Sequence, residues 1–590
     1  MRNAHISRQK NHYLASIGIA ALTINTIALM LLREQVHLPM LEASLISSEI
    51  GLIHTYLLHC AFMFHHEATG VKHLTLFHGM ACATMALTSM LLSAIVSMLG
   101  IAYPVSNLLA VAVASGVNYL LFSHWLWPGL PASSNQPTMI RKSFLRSWRA
   151  WVAYGAVGAG MVGVLLLIHW LANGQWQAYV ILGLIFFMLF QSLSSLYLML
   201  YTWEKPERLA ASGGPTSYEP ARTSFAVLLP ARHEEAVIYQ TIHKVWAASY
   251  PHDLLEVVVI CHSDDLGTIA EARRAIAEIG SPRIWVEVFA DGPINKPHGL
   301  NIGLRRTHNQ VVTIFDAEDD IDAQIFNVIN TVMLREQVGV VQAGVQLMNY
   351  TDHWFSCHNC LEYFFWFKSR LHFHAHHGMV PLGGNTVFLR RDLLEQVGGW
   401  DEQCLTEDAD IGIRLSILGE PIRVVYDAQH VTREETPDTA EQFIKQRTRW
   451  HQGFLQVLAK GDWLRLPTLA QRLLAVYTLS YPLFQGFLLL LWPAMLLSVL
   501  WLRLPLGVTL VSFLPLYAFV MQFVVSVIGA WMFSREFKLR FPLWLPVQMA
   551  LTYVPYQLMM GLSAVRAIWR ETRRETGWEK TRHLGAHRRA

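Results

Sequence analysis

The sequence predicts a polytopic α-helical membrane protein with an α/β domain inserted between two membrane blocks. Three observations predict it. Only 15% of the 590 residues are charged, against about 25% in an ordinary soluble chain. The deficit is uneven: ten charged residues lie from Tyr13 to Tyr201, 59 from Thr202 to Leu469, and seven from Ala470 to Trp569. The middle stretch also alternates short β-branched runs with helical ones. These features exclude a simple soluble enzyme, a disordered chain and a disulfide scaffold. They divide the chain into a membrane block (1–201), a cytosolic domain (202–469), a second membrane block (470–567) and a basic tail (568–590).

A spanning helix needs about 20 mostly apolar residues. Six stretches in the first block qualify: 13–32, 48–65, 75–99, 103–127, 151–171 and 177–201. The first lacks a small-residue cleavage site and is read as a retained helix. Arg2, Arg8 and Lys10, and later Arg141, Lys142, Arg146 and Arg149, mark cytoplasmic segments by the positive-inside rule. Six crossings from an inside amino terminus place the middle domain in the cytoplasm. Its cysteines, Cys261, Cys357, Cys360 and Cys404, are then expected as reduced thiols.

In the second block, 476–501 and 507–533 form an expected hairpin that returns at Arg535, Lys538 and Arg540. The segment 541–567 is ambiguous. A further crossing would put the basic tail outside, against the positive-inside rule. Pro542, Pro546 and Pro555 are expected to break this segment and lay part of it in the interface.

In the middle domain, Ser224–Pro230, Leu255–Cys261, Ile284–Phe289 and Val311–Phe315 read as buried strands. Helical stretches follow the first two, at Ala236–Ala248 and up to about Ile279. Strands alternating with helices argue a mostly parallel sheet. Polar residues gather just past the strand ends, where such sheets bind ligands. Three carboxylate groups stand out: Asp264/Asp265, Asp316/Glu318 and Glu407/Asp408. Carboxylates suit a hard cation such as Mg²⁺ or Mn²⁺ with substrate phosphates on it. By local chemistry alone, solvated acidic turns account for them equally well.

The order of the motifs narrows the choice. Asp264/Asp265, Asp316-Ala317-Glu318, Thr406-Glu407-Asp408 and Gln446-Arg447-Thr448-Arg449-Trp450 occur in sequence between apolar blocks. This arrangement resembles the membrane-embedded family 2 glycosyltransferases, the inverting processive group that includes cellulose synthase and hyaluronan synthase. Their pattern is D, DxD, TED and QxxRW. Pro381-Leu382-Gly383-Gly384-Asn385 and Trp578-Glu579-Lys580-Thr581 are similar to a bacterial exopolysaccharide subgroup. Two departures stand: the first motif is HSDD, which leaves Asp264 and Asp265 as alternatives, and the second ends in Glu318 instead of Asp.

The resemblance implies a GT-A (Rossmann-like) domain that uses Mg²⁺ or Mn²⁺ and a nucleotide sugar, with a UDP-sugar the first choice. It implies Asp408 as base within the Glu407-Asp408 pair. Ala231, Glu234, Asp264 or Asp265, Lys296 and Asp316 would bind the donor, and Asp316 and Glu318 the metal. Gln446, Arg447, Arg449 and Trp450 would serve the acceptor and diphosphate end. The bland alternatives are a capped helix for Asp408, a surface lysine for Lys296, and an amphipathic membrane-surface helix for the QxxRW stretch. The implied location is a bacterial inner membrane. The partners are membrane lipid, a polysaccharide or lipid-linked acceptor, and export proteins, with no nucleic acid. Two rivals remain: single addition to a lipid acceptor, and a non-catalytic receptor or transporter. Cys357-His358-Asn359-Cys360 is read as part of a buried or interfacial helix in preference to a zinc site. Arg566, Arg570 and Arg574 are read as a basic membrane-surface helix.

Overall fold

The computed structural model describes residues 176–489 and 506–575, with single positions elsewhere. The spans expected at 13–32, 48–65, 75–99, 103–127 and 151–171 lie outside the described residues. The chain divides into two compact units, one of residues 1–189 and 502–515 and the other of residues 190–501 and 516–590. In the first, the described residues are mainly helical. The second contains the α/β domain.

Among the described residues, two helices are long and apolar enough to cross a membrane, Ala178–Trp203 and Val508–Glu536. They coincide with the spans expected at 177–201 and 507–533. The helix Leu545–Thr572 differs from expectation. It runs unbroken through Pro555, and Pro546 sits in its first turn, where a missing N–H costs nothing. It is not among the two long apolar helices. Its exposed residues Val547, Leu551, Val554, Leu558, Leu562 and Val565 recur every three or four positions, while Met549, Tyr556, Met560 and Ala564 are buried.

The domain centres on a seven-stranded sheet in the order β3-β2-β1-β4-β7-β5-β8. Its strands are β1 (Phe225–Pro230), β2 (Leu255–His262), β3 (Ile284–Phe289), β4 (Val311–Ile314), β5 (Val340–Ala343), β7 (Val387–Arg390) and β8 (Ile422–Val425). A small parallel pair joins β6 (Val345–Leu347) to β9 (Thr432–Glu434). The first four strands match the sequence reading to within a residue or two. Alternate side chains enter cores on opposite faces, as a strand's period of two requires. Phe225, Val227 and Leu229 of β1 go to one core, and Ala226 and Leu228 to the other.

β1, β2, β3 and β4 are parallel, so Ala231, Asp264 and Asp316 leave the sheet at one edge. β7 is antiparallel to β4, with Ile314 opposite Val387. The segment entering β7, Gly383–Thr386, therefore reaches that same edge. This reversal of strand direction builds the site.

Candidate active site

Lys296 lies in the first turn of the helix Lys296–Arg306, whose start is capped by the Asn295 side chain accepting from His298 N–H. Its ammonium donates to Asp316 Oδ1 at 2.5 Å and to the Gly384 carbonyl at 2.9 Å. Burial works against the charged Lys296, but Asp316, Glu407 and Asp408 outweigh it and hold the group above its ordinary value.

Glu407 and Asp408 open the helix Glu407–Ile417. Three acids in a first turn suit the positive end of the helix dipole. Burial, then the charge of Asp408, pushes Glu407 up to about 8. Burial also raises Asp408, against the Ala409 N–H at 2.8 Å and the Lys296 charge.

A methyl group on Gly384 would lie 3.1 Å from Asp408 Oδ2 and 3.5 Å from Lys296 Nζ. The bare glycine is what lets these two groups approach the same point. Gly412, one turn into the Glu407 helix, packs more tightly still. A methyl group there would meet the Val380 carbonyl at 2.3 Å and the Leu382 nitrogen at 2.7 Å.

Arg449 lies on the helix Ala440–Lys460. Burial lowers its pKa, opposed by the charges of Glu407, Asp316, Asp408 and Glu318. One guanidinium is thus within electrostatic reach of the carboxylates of two separate motifs. Its Nη1 also donates to the Glu579 carbonyl at 2.7 Å. The Glu579 carboxylate is held by Arg566 at 2.5 Å and by Arg570 at 3.0 Å. Arg570 is buried. The expected basic surface is corrected here: two of its three arginines turn inward to grip the tail. The helices Ala440–Lys460 and Leu545–Thr572 pack side by side, with Phe443 against Tyr556 and Gln452 accepting from Arg570 Nε at 3.0 Å.

Arg447 is placed differently from Arg449. It pairs with Glu362 at 2.5 Å, donates to Asn359, and lies 4.6 Å from the Trp450 ring centroid. It braces the helix Ser356–Phe365 and does not join the carboxylate group, because successive odd positions on a helix point about 200° apart. Trp450 is half-buried, with its ring 6.2 Å from that of Tyr363. Gln446 is half-buried beside them in the chain. Cys357 and Cys360 are buried in the main hydrophobic core.

The donor-side candidates separate as well. Asp265 is buried and caps the helix Leu266–Ile279, accepting from Thr268 and His233 N–H. Asp264 is 47% exposed and pairs with Arg232 at 3.1 Å and with His262 at 2.6 Å. The His262 hydrogen bond lowers its pKa. Ala231 is buried, its N–H given to the Ile260 carbonyl, and Glu234 is buried at the next turn. Sequence reasoning missed Arg232, although a cation between Ala231 and Glu234 was visible. It also did not single out Tyr363, whose ring lies 6.2 Å from that of Trp450.

Asp316 and Glu318 are hard oxygen donors, and Asp316 already accommodates a cation, the Lys296 ammonium. Among the described residues, no group of three or more His, Cys, Asp or Glu forms a metal cage. Two carboxylates therefore suit a Mg²⁺- or Mn²⁺-type ion whose other ligands are phosphate oxygens and water.

Residues 220–453 match the family described as glycosyltransferase like family 2, and residues 14–127 match the GtrA/DPMS transmembrane domain. The protein named "Probable glycosyltransferase YdaM" of Bacillus subtilis is 27% identical over 253 residues, 40% of this chain and 56% of that protein. The beta-monoglucosyldiacylglycerol synthase of Nostoc sp. is 28% identical over 236 residues, 39% of this chain and 49% of that protein. The chain spans about half the length of these curated relatives. Among solved structures, the mannosyltransferase PcManGT of Pyrobaculum calidifontis, in complex with GDP-Man and Mn²⁺, is 16% identical. It covers 66% of this chain and 99% of its own, with a TM-score of 0.41. By the two family matches, residues 220–453 form a glycosyltransferase family 2 domain, and a GtrA/DPMS-type transmembrane segment at residues 14–127 precedes it.

Proposed function

We propose that the chain is an inverting glycosyltransferase of a bacterial inner membrane. It transfers a sugar from a nucleotide donor, first of all a UDP-sugar, to a growing β-linked polysaccharide that is exported through its helices. The observation that carries this reading is the meeting of Lys296 with Asp316, with the Gly384 carbonyl and, across bare Gly384, with Asp408, while Glu407 and Arg449 lie within electrostatic reach. A site of paired acids and fixed cations fits displacement of a diphosphate at an anomeric carbon.

In the proposed reaction Asp408 takes the proton of an acceptor hydroxyl as its oxygen bonds to the anomeric carbon. The bond from that carbon to the diphosphate breaks on the opposite face, and the diphosphate leaves with the electron pair. Lys296 and Arg449 offset the charge that develops there. A divalent ion held by Asp316 and Glu318 would supply further charge stabilisation at the phosphates. Asp264 and Arg232 would meet the nucleoside at the open rim, and Trp450 and Tyr363 would offer apolar faces to acceptor sugars.

A second reading keeps the chemistry and changes the acceptor to a membrane lipid. The similarity to a glucosyldiacylglycerol synthase favours it. Purified protein in lipid, given UDP- and GDP-sugars with Mg²⁺ or Mn²⁺, tests both. A β-linked polymer supports the first, a singly glycosylated lipid the second. No transfer from any donor overturns both.

A further inference from the structure

We propose that Asp319, Asn385 and Glu434 form a positioning unit that fixes the main chain at Asp316 and itself touches neither cation nor donor. The proposal rests on the glycosyltransferase reading above. The acidic turn offers four carboxylates, and the structure uses them differently. Asp320 pairs with Lys244 at the surface side, and its main chain bridges to Arg433. Asp319 is fully buried. It accepts the Asp316 N–H at 2.8 Å, while its own N–H goes to the Asp316 carbonyl at 3.1 Å. The turn is thereby closed in both directions just where the ladder of β4 ends.

One side-chain amide holds this closed turn to the rest of the site. Asn385 Nδ2 donates to both oxygens of Asp319 at 2.9 Å and also to Glu434 Oε1. Its two hydrogens serve two carboxylates, one on each side. Asn385 follows Gly384, whose carbonyl accepts from Lys296. Glu434 ends β9, and the helix carrying Arg449 begins six residues later, at Ala440. Three segments therefore meet at one amide: the turn with Asp316, the loop with Gly384, and the strand that leads to Arg449. The Asp319 carboxyl is costly to desolvate, and setting it and the half-buried Glu434 on one neutral amide is a poor route to stability alone. Their return is geometric: they hold Asp316 in register with Lys296.

The test uses the full-length protein in lipid, with Mn²⁺ binding read by electron paramagnetic resonance in the presence of UDP or GDP, beside thermal melting. Asp319→Asn loses an acceptor for the Asp316 N–H and Asn385, and the half-saturating Mn²⁺ concentration is expected to rise about tenfold or more, as for other residues that orient a ligand. Glu434→Gln keeps an oxygen for the amide and is expected to lose less Mn²⁺ affinity than Glu434→Leu. Asn385→Leu combined with Glu434→Leu should be no worse than Asn385→Leu alone, because both act through one contact. Unchanged Mn²⁺ affinity in Asp319→Asn, with or without a lower melting temperature, overturns the proposal. If that variant fails to fold, equal losses in Glu434→Gln and Glu434→Leu overturn it. A wild-type protein that binds Mn²⁺ with neither nucleotide overturns the glycosyltransferase reading itself, and the proposal with it.

Discussion

Gly453 is pressed against Thr406: a methyl group on its Cα would meet Thr406 Cγ2 at 2.4 Å and the Thr406 backbone nitrogen at 2.7 Å. The helix that carries Arg449 therefore has no slack against the turn that carries Glu407 and Asp408. Lys460, at the far end of the same helix, pairs with buried Asp410 at 2.7 Å and Asp401 at 2.9 Å. The two motifs are clamped at both ends of their contact.

Gly453→Ala forces these elements apart. Overpacking of this kind costs about 1–3 kcal/mol, and transfer activity is expected to fall further than stability does. Thr406→Ala in the Gly453→Ala background removes the side-chain clash but not the backbone one, so partial recovery is expected. Melting temperature and initial rate, measured on the three proteins, check it. Full activity in Gly453→Ala would contradict the geometry.

Asp408→Asn keeps shape and removes the base. Transfer is expected to fall roughly 10²- to 10⁴-fold, while equilibrium binding of the nucleotide sugar survives. Unchanged turnover would remove Asp408 from the mechanism and favour a binding protein.

Lys296→Met leaves Asp316 without its ammonium and Asp408 with Arg449 as its remaining nearby positive charge. Donor affinity is expected to drop, and the acidic limb of the pH–rate profile to move upward, because Lys296 normally lowers the pKa of Asp408. Isothermal titration with UDP and a rate profile measure the two effects separately.

The Glu407 carboxyl, raised from 4.5 to about 8, makes stability depend on pH in a stated direction. A carboxyl raised by folding stabilises most below its unfolded pKa, and that contribution is lost as pH rises toward and through its folded value. The Glu407 contribution should therefore decline from pH 4.5 to about 8. Glu407→Gln should flatten that part of the melting-temperature profile. An identical slope in both proteins would assign the pH dependence to other groups.

Much of the domain was legible because its strands are Val- and Ile-rich runs buried on both faces, which leave little ambiguity in a short segment. The acids after β2 and β4 were legible as positions but not as roles. Asp264 and Asp265 are adjacent and chemically alike, and only the Thr268 and His233 amides show that Asp265 serves as a cap. Arg447 and Arg449 differ in direction by the helical turn, which a spacing of two does reveal once the helix is assigned. Arg566 and Arg570 looked like a surface stripe because their partner, Glu579, lies beyond the helix end. Gly384 stood out only as part of Pro381–Asn385, and Gly412 and Gly453 gave no signal, since a glycine's neighbours across space leave no mark beside it in the chain.

Those three glycines bear on how such a site can change. A methyl group on Gly412 or Gly453 would press on backbone, and one on Gly384 would crowd Asp408 Oδ2 and Lys296 Nζ. Substitutions that broaden or redirect the choice of sugar therefore have little room to accumulate there. At the open rim, where Asp264 and Arg232 are partly exposed, a new side chain has room, and its effect falls on the proposed nucleoside contacts. Inherited variation and deliberate redesign should both find their usable positions along that rim, with the three glycines held constant.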